Sequence, residues 1–179
     1  MVEISLAMAV LALGVISIMA LFPIGLNANR DAMAENYAAD SADMLLHYYS
    51  SMLKTSWTDA QAQLPPAKAT TEGAWTGTPV SLSPSTVLTP DSVANSGVCK
   101  VEQRTGAAPG TVVDFAGVYR VWRSDVTYSY YNAVLGAWTP TATISQDTGL
   151  ALNLEVSWPA QAAYTARQKV RYYLEVFRP

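Results

Sequence analysis

The apolar and polar positions of this chain fall into three successive patterns. Residues 4–26 are Ile, Leu, Val, Met, Ala and Phe, relieved only by Ser5, Gly14, Ser17, Pro23 and Gly25. About twenty such residues, rising roughly 1.5 Å each, match the roughly 30 Å hydrocarbon core of a membrane. From Asn27 to about Thr55 the apolar positions become periodic. Met33, Tyr37, Met44, Tyr48 and Met52 recur at near-helical spacing, Leu45 widens the stripe, and Arg30, Asp31, Glu35, Asp40 and Asp43 lie opposite. This predicts an amphipathic continuation of the helix whose apolar face packs on a globular domain or on another subunit. Lys54 suits a helix C-terminus close to 55, and Pro65-Pro66 stops any continuation.

Past Gly97 the period changes to two. Val98, Lys100 and Glu102 alternate with Cys99, Val101 and Gln103. Leu150, Leu152, Leu154, Val156 and Trp158 alternate with Ala151, Asn153, Glu155 and Ser157, and Val170, Tyr172, Leu174 and Val176 with Arg171, Tyr173, Glu175 and Phe177. Between them, 118–131 is a long aromatic and β-branched run. These segments predict antiparallel strands with one buried face. The amphipathic half of the long helix is the cover available to that face. The expected class is therefore α+β, a long N-terminal helix packed on a C-terminal antiparallel sheet.

The tract between helix and strands is rich in Pro, Ser and Thr, which predicts an ordered surface loop or short edge strands rather than a helix. Trp57 and Trp75 are expected to hold it to the domain. Its hydroxyls are possible O-glycosylation positions, with a bare polar loop as the simpler reading. The resulting division is 1–29 apolar helix, 30–55 amphipathic helix, 56–97 loop and 98–179 sheet domain.

One carboxylate, Glu3, heads the apolar segment, and no further charge occurs until Arg30. A cleaved signal peptide would have a basic start and a shorter apolar core. A plain anchor would carry flanking Lys or Arg on one side. A third reading is a helix that crosses the membrane on its way to packing against copies of itself. Glu3 then pairs with a neighbouring subunit's N-terminal ammonium and dictates register, because an unpaired buried charge costs several kcal/mol. Ser5, Ala7, Ala9, Ala12, Gly14, Ser17 and Ala20 are small enough for close helix–helix approach, although small residues are also common in membrane helices generally. Pro23 removes one helical hydrogen bond and clashes with the carbonyl of residue 19, so a kink or melted turn is expected near 19–23.

Composition narrows the function. The formal net charge of -3 argues against a nucleic-acid-binding face. A single cysteine, Cys99, excludes an intrachain disulfide framework. His47 and Cys99 are alone of their kind, on a helix and a strand, and read as packing residues rather than ligands or nucleophiles. No phosphate loop, G-x-S-x-G or H-E-x-x-H motif occurs. No enzyme, cofactor or metal is expected. The tyrosines Tyr128, Tyr130, Tyr131, Tyr172 and Tyr173 fit half-buried strands, with a binding or adhesive face as the alternative.

The opening MVEISLAMAVLALGVISIMALFPIGLNANRD resembles the mature N-terminus of type IV pilins and type II secretion pseudopilins. Members share an apolar helix headed by a glutamate and interrupted by Gly and Pro. Two departures stand beside the resemblance. The glutamate is third rather than fifth, so either two residues precede Met1 or the start is atypical, and the Gly14–Pro23 spacing is one residue longer. The C-terminal disulfide of many pilins is also missing. The acids Asp147 and Glu155 are too sparse to argue for a pseudopilin calcium site.

The resemblance implies a homo-oligomeric helical filament outside the cell. Ile4, Leu6, Val10, Leu13, Ile16, Leu21 and Phe22 would pack its core, Glu3 would set register, and Gly14 and Pro23 would allow a melted segment. Before assembly the subunit would sit in the cytoplasmic membrane and meet pilus or secretion assembly machinery. A pseudopilin or minor pilin is the alternative within this class. From another class, the rival is a non-polymerising, membrane-anchored β-domain that binds a ligand.

Overall fold

The computed structural model describes residues 2–105, 112–139 and 142–179. The chain divides into two units, Met1–Tyr37 and Ala38–Pro179. Helix α1 runs from Val2 to Thr55, and a second helix, α2, from Trp57 to Gln63. Among the described residues the strands that follow are β1 (Val80–Ser81), β2 (Thr86–Pro90), β3 (Val98–Thr105), β4 (Val112–Ser124), β5 (Val126–Tyr128), β6 (Tyr131–Asn132), β7 (Ala137–Trp138), β8 (Ala142–Ile144), β9 (Gly149–Trp158) and β10 (Gln168–Phe177). The main sheet has the order β1-β2-β3-β4-β9-β10 and is antiparallel throughout. The fold is the α+β layout expected from the periodicities.

One feature differs from the sequence expectation. The tract after Thr55 is not free of helix: Ser56 leads into α2, its Oγ donating to Asp59 Oδ2 at 2.7 Å. Trp57 and Ala60 bury this short helix on the domain, and Trp57 Nε1 donates to the carbonyl of Gln146 at 3.0 Å. As expected of this tract, it also supplies short edge strands, β1 and β2, which extend the sheet at one edge.

The second unit is built around the contact between α1 and one sheet face. The helix line that becomes buried is Ala38, Ser41, Ala42, Leu45 and Leu53. It is not the Met/Tyr stripe, of which Met33 and Tyr48 stay exposed. The spacing still follows the helical repeat: Ala38, Ser41 and Ala42 are small, while Leu45, which widens the predicted stripe, and Leu53 are among the largest fully buried side chains. Opposite it stand Cys99, Val101 and Gln103 of β3, Tyr119 and Val121 of β4, and Leu152, Leu154 and Val156 of β9, all buried. Polar groups in this layer are linked: Thr86 Oγ1 donates to Gln103 Oε1 at 3.0 Å, and Gln103 Nε2 donates to Ser41 Oγ at 3.3 Å.

The other sheet face is not left to water. Segments 64–73 and 160–167 cross it and are held by ion pairs. Arg120 and Glu155, paired across β4 and β9, are 1 % and 2 % exposed. Glu155 accepts from Lys68 Nζ at 2.6 Å, Tyr164 Oη at 2.8 Å and Arg171 Nε at 3.2 Å. Glu72 accepts from Arg120 Nη2 at 2.5 Å and from both terminal nitrogens of Arg167 at 2.6 and 3.0 Å. The Arg120 guanidinium and Lys169 Nζ each lie 4.1 Å from the Tyr164 ring centre. A charge is tolerated here because several partners share each carboxylate.

Candidate functional site

The features that stand out are two exposed apolar surfaces. The first is the N-terminal part of α1. Every described residue from 2 to 33 is exposed, on all sides of the helix. Ile4, Leu6, Val10, Leu13, Ile16, Leu21 and Phe22 are each 62–70 % exposed. A helix apolar all round belongs in a membrane or inside a bundle of other helices. This one is long and apolar enough to cross a membrane. The hydroxyl of Ser17 donates to the Leu13 carbonyl at 2.8 Å, so this polar group is satisfied within the helix and needs no water.

Glu3 lies in the first turn of α1, exposed, where its charge favours the helix dipole. Gly14 and Gly25 have no internal packing reason, since an added Cβ at either would meet nothing within 4 Å. Helical structure continues unbroken through Pro23. Around Pro23, the side chains of Val15, Ile18, Met19, Phe22 and Leu26 border an apolar notch on one helix face.

The second surface is an excursion of the sheet. Between the paired strands β4 and β9 the chain leaves as β5–β8 and β6–β7, two short ladders. Its far end carries Val134 and Leu135, 94 % and 72 % exposed, with Trp138, Tyr128, Tyr130 and Tyr131 also exposed. The rings pair among themselves: Tyr131 meets Trp138 edge-on at 5.8 Å, and Tyr128 stacks on Tyr130 at 6.4 Å. The tip is shaped by Asn132, whose Oδ1 accepts from the backbone N–H of Val134 and Leu135 at 3.0 and 3.2 Å. Gly136 closes the turn at φ 59°, a left-handed conformation natural to glycine.

The aromatic run in the sequence marks the tyrosines but not the tip. A signal for the tip is nevertheless present: no charged residue occurs between Asp125 and Asp147, and Asn132 and Gly136 bracket the turn. Tyr172 and Tyr173 lie instead on β10, apart from this excursion in the chain, with Tyr173 exposed and Tyr172 half-buried.

His47 is exposed beside Asp43, 3.5 Å away, and Cys99 is buried in β3. Burial pushes the Cys99 thiol up to about 12, with nearby Asp91 adding to the effect. Such a thiol is a poor nucleophile and a poor ligand at neutral pH. Among the described residues no three of His, Cys, Asp or Glu come together as a metal-sized cluster.

No family model, curated protein or solved structure matches the chain.

Proposed function

We propose that the protein is a structural subunit of the type IV pilin kind, polymerising through the N-terminal part of α1 into an extracellular filament. The observation that carries this reading is the helix over residues 4–26, apolar and exposed on every side, headed by the single carboxylate Glu3. In a stack of such helices, Ile4, Leu6, Val10, Leu13, Ile16, Leu21 and Phe22 exchange lipid for one another. Gly14 and Gly25 permit close approach of neighbours. Glu3 meets the N-terminal ammonium of the adjacent copy, and the cost of leaving it unpaired fixes the stagger. Pro23, which lacks an N–H, marks where the helix opens under axial load. Before polymerisation the same helix holds the subunit in the cytoplasmic membrane, where assembly machinery engages it. A pseudopilin or minor-pilin role uses the same chemistry with fewer copies.

The exposed aromatic excursion favours a second reading, a membrane-held domain that captures a ligand without polymerising. Electron microscopy of sheared surface material, with immunogold against residues 98–179, separates the two. Gold along thin filaments supports the pilin. Gold confined to membranes overturns it for the ligand-binding domain, and gold at rare filament tips assigns a minor subunit. Glu3→Ala is expected to abolish polymerisation while membrane retention persists. Filaments of normal number and symmetry in that variant would overturn the register role.

A further inference from the structure

We propose that β10 is a pairing edge for a second copy of this chain: two β10 strands meet antiparallel about Tyr173 and join two main sheets into one.

Strand β10 ends the sheet order, pairs with β9 along its ten residues without a register shift, and has no strand on its other side among the described residues. An edge of that length offers a row of N–H and C=O groups to a chain that can lie along it. The register identifies those groups. Just past the strand, Arg178 N–H donates to the Thr148 carbonyl at 2.9 Å, in step with Phe177 opposite Gly149. Opposed residues of an antiparallel ladder alternate between bonded and unbonded pairs, so the even-numbered residues of β10 turn their backbone groups to β9. Lys169, Arg171, Tyr173, Glu175 and Phe177 turn theirs outward. All five are exposed, and none is a proline.

The sequence of the strand indicates what fits there. With Tyr173 opposite Tyr173, Arg171 of each copy faces Glu175 of the other, and Val170 faces Val176. Opposite charges so placed stabilise a sheet, whereas like charges directly opposite destabilise it. Both groups retain capacity for a partner. Arg171 Nε donates to Glu155 at 3.2 Å, yet the Arg171 side chain stays 70 % exposed, and exposed Glu175 accepts from the Tyr173 hydroxyl at 2.9 Å. On the opposite face Val170, Tyr172 and Leu174 are half-buried, and the second strand covers their open side. The other edge of the sheet, β1, is two residues long and cannot match this row.

A strand that complements itself makes an isologous contact, which closes on two copies. The inference therefore stands apart from the polymer reading, which needs a head-to-tail order.

The test uses the full chain in detergent micelles. Tyr173→Cys places a thiol on the two-fold axis, where Cα atoms of a bonded pair lie about 5.5 Å apart, within disulfide reach. Under mild oxidation with copper phenanthroline, disulfide dimers are expected at least about tenfold above those of Gln161→Cys, exposed outside the strand. Cys99 is buried and common to both. Adding Glu175→Arg to Tyr173→Cys sets Arg against Arg171 and should return the dimer to the control level. In the unaltered chain, amide exchange at Arg171, Tyr173 and Glu175 should slow as protein concentration rises. Equal dimer yields from Tyr173→Cys and Gln161→Cys would mean that the apolar helices alone gather copies in the micelle, and would overturn the contact. Dimers that survive Glu175→Arg, or exchange independent of concentration, would overturn it as well.

Discussion

Lys68 Nζ lies 2.6 Å from Glu155 Oε2, joining the segment after α2 to the centre of the sheet across 87 positions of chain. Glu155 is 2 % exposed, so this carboxylate would be ruinous without its partners. Glu155→Gln is expected to destabilise the domain by about 3–5 kcal/mol, since Lys68 would lose its carboxylate acceptor and buried Arg120 the counter-charge 3.8 Å away. Urea unfolding of the full chain in detergent measures this. A loss below about 1 kcal/mol would mean that the network contributes little.

The same residue sets a pH dependence. Burial pushes the Glu155 carboxyl up, but hydrogen bonds from Lys68, Tyr164 and Arg171 outweigh that, and its folded-state pKa lies below the ordinary range. A depressed carboxylate binds fewer protons folded than unfolded. Its contribution is therefore complete above the unfolded value of about 4.3 and is lost as pH falls through the folded value. Unfolding midpoints should hold steady from about pH 7 to 5 and fall below about 4. In Glu155→Gln that acid-side fall should be shallower.

Ala42 is fully buried in the helix line facing the sheet. Ala42→Leu inserts side-chain volume into a fully buried position, and should cost about 1–3 kcal/mol. Met33→Ala, at an exposed position, should change stability by no more than about 0.5 kcal/mol. Equal effects at the two positions would show that the packing line is misplaced.

This contrast marks what the sequence could disclose. The helical period, the strands 149–158 and 168–177 and the α+β class are legible because each follows a period of 3.6 or 2. The small residues of the buried helix face, Ala38, Ser41 and Ala42, escape a reading that follows large ones, whereas Leu45 stands on the predicted stripe. Helix α2 is only seven residues long, too short for a periodic signal, and its start rests on Ser56 and Asp59. The Glu72–Arg167 pair spans 95 positions, and no local pattern encodes such a meeting. At the candidate site the apolar helix and Glu3 are legible, while the Val134–Leu135 tip is hidden beside residues that read as strand.

Gly97 sits at φ 68°, with its carbonyl accepting from Val121 N–H at 2.8 Å. An added Cβ would lie 2.1 Å from the Val121 carbonyl oxygen and 2.8 Å from Pro65 Cγ. Gly97→Ala should therefore cost on the order of 1–3 kcal/mol from the left-handed backbone alone, with the clash adding to it. Retention of the wild-type melting temperature would contradict this geometry.

The apolar helix makes a separate prediction. Ile16→Lys places a cation in the middle of residues 4–26, at a cost of about 2.5–3.5 kcal/mol for a central lysine. The alkali-resistant membrane fraction should drop accordingly, while Thr70→Lys should leave it unchanged.

The excursion at 126–146 begins and ends between two strands that pair with each other directly, Ser124 opposite Ala151. The sheet is continuous beneath it. Lengthening, shortening or replacing its outer turn, 132–137, leaves buried Val126 and the Gln146 contacts to Trp57 and Gln61 in place, so a lineage can trade one tip for another while the scaffold stays constant. The same junction is where a foreign epitope would be inserted, and every copy in a polymer would then display it.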